Sequence, residues 1–334
     1  MGLAATILAT VLCACDKAPE AVNPTTGPSS TSDDLAEVHL GYFANVTHAQ
    51  AVLGVSTGDF QTALGDTKLK TFIFNAGPSL IDSLISGDID IAYVGPGPAL
   101  TAWARTNGEQ VRVIAGAADN GVVIVARKGS GINTLADLKG RKIATPQRNN
   151  TQDMSARHYV LSVLGQTDDR NVLPIANAQQ AGRMAAGDID AAWVPEPWGS
   201  RLVAEGNGQI IAQEKDLWPD HQFSLTVIVA RPAFLQAHPD VVRRILTVHK
   251  QWTQKLNDNP SAYAAQLSDA LHNLTHTPLS VDLVKSSLQY VTFTSDPAPA
   301  TFTAMAQWSQ DLGIVKQPIH VEGLIDTSVI DQIH

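Results

Sequence analysis

The sequence predicts an α/β protein made of two similar lobes, with a hinge and a ligand cleft between them. Three observations carry that prediction. The segment Ser83-Leu84-Ile85-Ser86-Gly87-Asp88-Ile89-Asp90-Ile91-Ala92-Tyr93-Val94-Gly95-Pro96 returns as Arg183-Met184-Ala185-Ala186-Gly187-Asp188-Ile189-Asp190-Ala191-Ala192-Trp193-Val194-Pro195-Glu196-Pro197, one hundred residues later. Val123-Ile124-Val125-Ala126-Arg127 returns as Val227-Ile228-Val229-Ala230-Arg231, at an offset of 104. Between these echoes, strand-like and helix-like periodicities alternate, as they do in α/β layers. Solenoid repeats run roughly 20–50 residues, so the longer offset indicates two lobes and a groove where a ligand sits.

The elements follow in order. Val38-His39-Leu40-Gly41-Tyr42 reads as a short strand. Thr47 caps a helix over 48–56 that ends near Gly58. Residues 68–74 alternate as a strand. Pro78 and Ser79 open a helix with Leu80, Ile81, Leu84 and Ile85 on one face, and Gly87 stops it. Residues 89–94 form the next strand, Pro96 and Pro98 break it, and 99–105 reads as helix before a strand over 111–115. The second unit repeats the plan: strand 141–144, helix 151–164, strand 172–175, helix 178–186 and strand 189–194. The two Val-Ile-Val-Ala-Arg segments read as strands carrying the chain into and out of that unit. One lobe therefore spans 38–122 and 228–334, and the other 123–227. In the tail, His238-Pro239-Asp240 starts a helix with Val242, Ile245, Leu246, Val248 and Trp252 on its apolar side, and 301–312 reads as another.

The N-terminus reads as an export signal. Residues 1–15 are apolar and uncharged, too short for a membrane span, and end in Leu12-Cys13-Ala14-Cys15. That run resembles a bacterial lipobox with Cys15 as the lipidated residue, although Cys13 and the lack of Lys or Arg depart from the pattern. Residues 16–37 are rich in Pro, Ser, Thr, Asp and Glu, and are expected to be a loose tether. Both cysteines lie at 13 and 15, so the body carries no disulfide and no cysteine-based zinc or redox chemistry. The net charge of −9, with no basic run, argues against a nucleic-acid partner.

Several motifs together resemble a family. Tyr42-Phe43-Ala44-Asn45-Val46-Thr47-His48-Ala49, Phe74-Asn75-Ala76-Gly77-Pro78, the Gly87 to Pro96 run, Lys142-Ile143-Ala144-Thr145-Pro146-Gln147, Asn150-Thr151-Gln152-Asp153 and Trp193-Val194-Pro195-Glu196-Pro197-Trp198 are similar to the solute-binding proteins of ABC importers for aliphatic sulfonates, taurine and nitrate. The resemblance covers nearly the whole body. It implies the two-lobed periplasmic binding protein fold of type II, a closing cleft, a small organic anion as ligand, and a cognate ABC permease in the membrane as partner.

In open α/β sheets, ligands sit beyond the carboxyl ends of the strands. The loops there are Asn45-Val46-Thr47-His48, Asn75-Ala76-Gly77-Pro78, Gly95-Pro96-Gly97-Pro98, 146–152 and Pro195-Glu196-Pro197-Trp198. Several lead into helices, whose free N–H groups suit an anion. The expected ligand-binding residues are Asn45, Thr47, His48, Asn75, Gly95, Pro96, Gln147, Asn150, Thr151, Gln152, Glu196 and Trp198. Each has a plain structural alternative: a cap for Thr47, Asn150 and Thr151, a turn for Asn75, a structural imidazole for His48 and core packing for Trp198. Arg148 adds a charge only if it turns inward; otherwise it is a solvated loop residue. Glu196 would repel an anion unless it is paired, holds a cationic part such as the amine of taurine, or receives a hydrogen bond from a loop. Tyr93 and Trp193 read as core. Asp88, Asp90, Asp188 and Asp190 read as turn residues hydrogen-bonding local backbone, because a calcium loop needs a longer ligand series.

Enzyme readings fare poorly. Gly54-Val55-Ser56-Thr57-Gly58 matches G-x-S-x-G, but helix, not a strand, precedes it. His272-Asn273-Leu274-Thr275-His276 has metal-ligand spacing, but Asn273 stands where a zinc protease needs glutamate, so no metal or cofactor is expected. Thiamine-pyrimidine synthases resemble the same fold but need a cysteine-rich motif. The expectation is a monomeric, lipid-anchored, extracytoplasmic solute-binding protein for an aliphatic sulfonate or taurine. Nitrate, bicarbonate, a thiamine precursor and a sensory role remain the alternatives.

Overall fold

The structure, a computed structural model, describes residues 35–333. The expectations for the leader and Cys15, and most of the tether, lie outside the described residues. The chain runs β1 (Glu37–Phe43), α1 (Ala49–Ser56), α2 (Asp59–Leu64), β2 (Lys68–Phe74), α3 (Gly77–Ser86), β3 (Ile91–Val94), α4 (Pro96–Arg105) and β4 (Arg112–Asn120). It continues through β5 (Val122–Arg127), β6 (Ile143–Thr145), α5 (Thr151–His158), β7 (Val172–Pro174), α6 (Asn177–Ala186), β8 (Ala191–Pro195), α7 (Trp198–Glu205) and β9 (Gly208–Gln213). It returns by β10 (Ser224–Ala230) and ends in α8 (Pro232–Ala237), α9 (Pro239–Asp258), α10 (Ala264–Thr275), α11 (Val281–Leu288), β11 (Val291–Phe293) and α12 (Pro299–Asp311).

These strands build two mixed sheets, ordered β11-β4-β10-β3-β1-β2 and β7-β6-β8-β5-β9. Within the first, β1, β2 and β3 are parallel; within the second, β6, β7 and β8 are. The chain leaves the first sheet after Asn120, passes Gly121 with both residues left-handed (φ 63° and 75°), and enters the second at Val122. The apolar core joins the two: Leu80, Val94 and Val227 of the first sheet's side cluster with Ile124, Met154 and Trp193 of the second.

The sequence echoes now have a physical cause. α3 and α6 end alike: Gly87 (φ 91°) and Gly187 (φ 82°) are left-handed, and their amides, with those of Asp88 and Asp188, return to the last helical turn. The following Asp90 and Asp190 then do identical work. Asp90 accepts from the His39 amide (2.9 Å) and pairs with Arg231 (2.5 Å). Asp190 accepts from the Lys142 amide (3.1 Å) and pairs with Arg127 (3.2 Å). Each Val-Ile-Val-Ala-Arg strand lies antiparallel beside one repeat strand, β5 beside β8 and β10 beside β3. The arginine that ends each copy thus neutralises the aspartate that starts its neighbour.

Several element boundaries differ from expectation, β4 by running on to Asn120, and three of the differences bear on the site. α4 begins at Pro96, not at Ala99, because first-turn residues donate no intrahelical hydrogen bond and proline is tolerated there. α5 is α-helical only to His158 and then widens into a π-helical turn, Tyr159–Val163. Asn45, rather than Thr47, stands at the N-cap of the first turn, Val46–His48. No helix among the described residues is long and apolar enough to cross a membrane.

Candidate functional site

The carboxyl ends of the six parallel strands converge. Asn45, Thr47 and His48 follow β1, Asn75, Ala76 and Gly77 follow β2, and Gly95 and Pro98 follow β3. From the second sheet come Pro146, Asn150, Thr151 and Gln152 after β6, Asn177 after β7, and Pro195 at the end of β8. Together they enclose one inner chamber of about 30 Å³. Phe43, Leu225 and Thr226 complete its wall.

The chamber wall is made of helix starts. Ala76, Gly95, Asn150 and Ala176 are the N-caps of α3, α4, α5 and α6. The backbone amides of Thr47, Gly77, Thr151, Gln152 and Asn177 donate to nothing among the described residues. Such orphan N–H groups, with the positive ends of helix dipoles, favour an anion by about 0.3–1 kcal/mol per helix. Asn150 itself caps α5, its Oδ1 accepting from the Asp153 amide at 2.8 Å. Asp153 in turn accepts from the Asn149 amide (2.9 Å) and Thr145 Oγ1 (3.1 Å), which ties the loop to β6.

No side chain in the wall carries a formal charge. His48 is the one titratable residue lining it, and complete burial drives its pKa down to about 3, so it is neutral. Its Nδ1 accepts from the Phe43 amide at 3.3 Å. That assignment leaves the proton on Nε2, which makes no hydrogen bond among the described residues.

The two sheets' loops also touch across the chamber. Trp198 Nε1 donates to Asn45 Oδ1 at 2.9 Å, and the Gly97 amide donates to Thr151 Oγ1 at 3.3 Å. Gly95 is required by that approach, since a Cβ there would stand 2.3 Å from Thr151 Oγ1. Outside the Trp198–Asn45 contact lies a vestibule of about 620 Å³, lined by Gln147, Trp198, Phe74 and Leu274 and sharing Asn45, Asn75 and Asn177 with the chamber.

Of the residues singled out from sequence, Asn45, Thr47, His48, Asn75, Gly95, Asn150, Thr151 and Gln152 border the chamber, and Gln147 and Trp198 the vestibule. Pro96 and Glu196 border neither. Glu196 is fully buried, accepts from the Ser200 amide at 3.1 Å, and so caps the first turn of α7; burial pushes its pKa up. Arg148 turns to Asp169 (2.9 Å) rather than inward. Tyr93 and Trp193 are fully buried. Ser56 closes α1 with no strand before it, so no nucleophile elbow forms. His276 lies past the end of α10 in a left-handed cap. Among the described residues no cluster of three or more His, Cys, Asp or Glu side chains forms a metal centre. Sequence reasoning missed Asn177, which the strand-end rule would have found, and Leu225 and Thr226, which reach the chamber on antiparallel β10.

Known proteins share this architecture. A model of the NMT1-like family matches residues 32–270. A protein of Brucella abortus (strain 2308), described as a binding protein, is 25% identical over 234 residues, 70% of this chain and 71% of its own. The taurine-binding periplasmic protein of Escherichia coli K12 is 28% identical over 200 residues, 58% of this chain and 59% of its own. The alkanesulfonate-binding protein SsuA from Xanthomonas axonopodis pv. citri, solved with MOPS, superposes with a TM-score of 0.72 at 20% identity, covering 87% of this chain and 98% of that one. This last likeness is one of fold.

Proposed function

The chain belongs to the NMT1-like family, and on that premise we propose that it captures an aliphatic sulfonate or taurine for an ABC importer. A taurine-binding periplasmic protein among its relatives supports a solute-binding role outside the cytoplasm for this chain. The observation that carries the ligand class is the chamber wall, where five unpartnered amides and the neutral His48 offer donors and no formal charge.

A sulfonate head group presents acceptor oxygens only, so it matches a wall of donors. Its carbon chain leaves past Asn75 and Asn177 toward the vestibule, where Trp198 and Phe74 offer apolar surface. Two lobes, divided near residues 122 and 228, close on the anion, and the closed form docks on the permease. No bond is made or broken. The chain acts as a monomer, held to the envelope through Cys15. The second reading is a tailless oxyanion, nitrate or bicarbonate, favoured by the small inner chamber of about 30 Å³.

The test is a thermal melt of the purified chain with taurine, alkanesulfonates, nitrate and bicarbonate. A ligand at a hundred times its Kd adds about 2.7 kcal/mol of stability. The expected result is an upward shift in Tm with sulfonates that exceeds the shift with nitrate. A larger shift with nitrate or bicarbonate moves the assignment to the second reading, and no shift with any of them overturns both.

A further inference from the structure

A second pocket, sharing no residue with the chamber or the vestibule, lies between α5 with its π-helical turn, β8, the 214–218 turn and α12. It measures about 150 Å³ and is walled by Trp193, Trp218, Trp308, Tyr159 and His158 around Glu214. The rings form two groups on the wall: Trp218 and Trp308 lie 4.9 Å apart by centroid with His158 stacked on Trp308 at 4.2 Å, and Tyr159 packs on Trp193 at 5.7 Å. Tyr159 belongs to the π-helical turn, a local irregularity often found at functional sites. The mouth carries the two exposed apolar residues Val163 and Leu217.

Glu214 is the unusual member. It is fully buried, and every partner is a neutral donor: Ser155 Oγ (2.6 Å), Trp193 Nε1 (2.5 Å) and Trp218 Nε1 (3.3 Å). Indole N–H groups only donate, so both carboxylate oxygens are held as acceptors. No Lys, Arg or His among the described residues pairs with it. A buried carboxylate in a donor cage, without a counter-charge, lies beside a pocket of electron-rich rings. We propose that this pocket is a second binding site, for a small methylated organic ammonium ion held by the rings of Trp218, Trp308 and Tyr159 with Glu214 as its counter-charge.

Aromatic boxes of this composition bind such cations through the ring quadrupole. Methylation follows from the wall. A primary ammonium needs three acceptors, and beyond Glu214, whose oxygens already accept from Ser155, Trp193 and Trp218, this wall offers His158 Nδ1 and the Tyr159 hydroxyl. A methylated ion carries its charge without that demand. The site is independent of the anion reading of the cleft.

The test is calorimetric titration of the full chain at about pH 8.5, where Glu214 is ionised, with choline and, separately, with 3,3-dimethylbutan-1-ol, its neutral isostere, at constant ionic strength. The expected result is saturable one-to-one binding of choline, about tenfold or more tighter than the alcohol, and a smaller preference for choline in Glu214→Gln, where the rings alone remain. Equal binding of both by the wild-type chain, or binding of neither, overturns the proposal. If circular dichroism shows that Glu214→Gln does not fold, Trp308→Leu serves instead: lost choline binding supports the site, and unchanged binding overturns it.

Discussion

Trp198 Nε1 donates to Asn45 Oδ1 across the mouth of the chamber, joining the start of α7 on the second sheet to the loop after β1 on the first, at 2.9 Å. This contact divides the polar chamber from the vestibule, so on the proposed function it is a latch of the closed form. Replacing Trp198 by Phe keeps a ring and removes the donor. A neutral hydrogen bond contributes about 1 kcal/mol net, so affinity for the preferred anion is expected to fall about fivefold. Stopped-flow release should show the change in the off-rate, with the on-rate nearly unchanged.

Gly95 and Thr151 make a second cross-chamber contact, and it is steric. A methyl at Gly95 would stand 2.3 Å from Thr151 Oγ1 and cannot be accommodated while the loops meet. Gly95→Ala is expected to weaken anion binding more than tenfold while leaving the far-ultraviolet spectrum intact. Adding Thr151→Ala removes the obstructing hydroxyl, so the double variant should bind better than the sum of the single effects allows. A double-mutant cycle measures that coupling.

Asn150 links stability to the site. Its side chain caps α5 through the Asp153 amide, and α5 presents the free amides of Thr151 and Gln152. Asn150→Ala is expected to cost about 1 kcal/mol of stability, read by urea unfolding. Anion affinity should fall with it, since the α5 amides lose their anchor.

His48 sets a pH signature. The folded chain protonates it only near 3, against 6.5 ordinarily, because burial disfavours the charged ring. Between those values the unfolded chain holds more protons, so this contribution is complete above about 6.5 and is lost as pH falls toward 3. Buried His249, lowered to about 4, acts with the same sign. Glu214, raised by burial to about 7, acts oppositely: its contribution is full below about 4.5 and is lost as pH rises through 7. His48→Asn should therefore flatten the decline of Tm between pH 6.5 and 4. Anion binding by the wild-type chain should stay level from pH 5 to 8, where His48 is neutral throughout.

Much of this was legible in the chain because the relevant signals are local. Loops such as Asn75-Ala76-Gly77-Pro78 combine a strand end, a turn former and a helix start within a few residues, and the parallel strands bring those ends together. Ala176-Asn177 has no Gly or Pro, so its equivalent position escaped notice. Leu225 and Thr226 join the chamber through the pairing of β10 with β3, a contact between residues far apart in sequence. Glu196 was legible as a strand-end carboxylate, but its direction depends on the Ser200 amide one helical turn on. The Arg127–Asp190 and Arg231–Asp90 pairs were hidden for the same reason, since each joins two different repeated motifs that lie far apart in sequence.

The central claim is that free main-chain amides of helix starts hold the anion. The most direct measurement is a ¹⁵N-labelled amide titration of the wild-type chain with taurine or methanesulfonate. The amide protons of Thr47, Gly77, Thr151, Gln152 and Asn177 should move downfield together along one saturating curve. Saturable binding that leaves those five resonances unmoved, with shifts gathered elsewhere, would contradict the account.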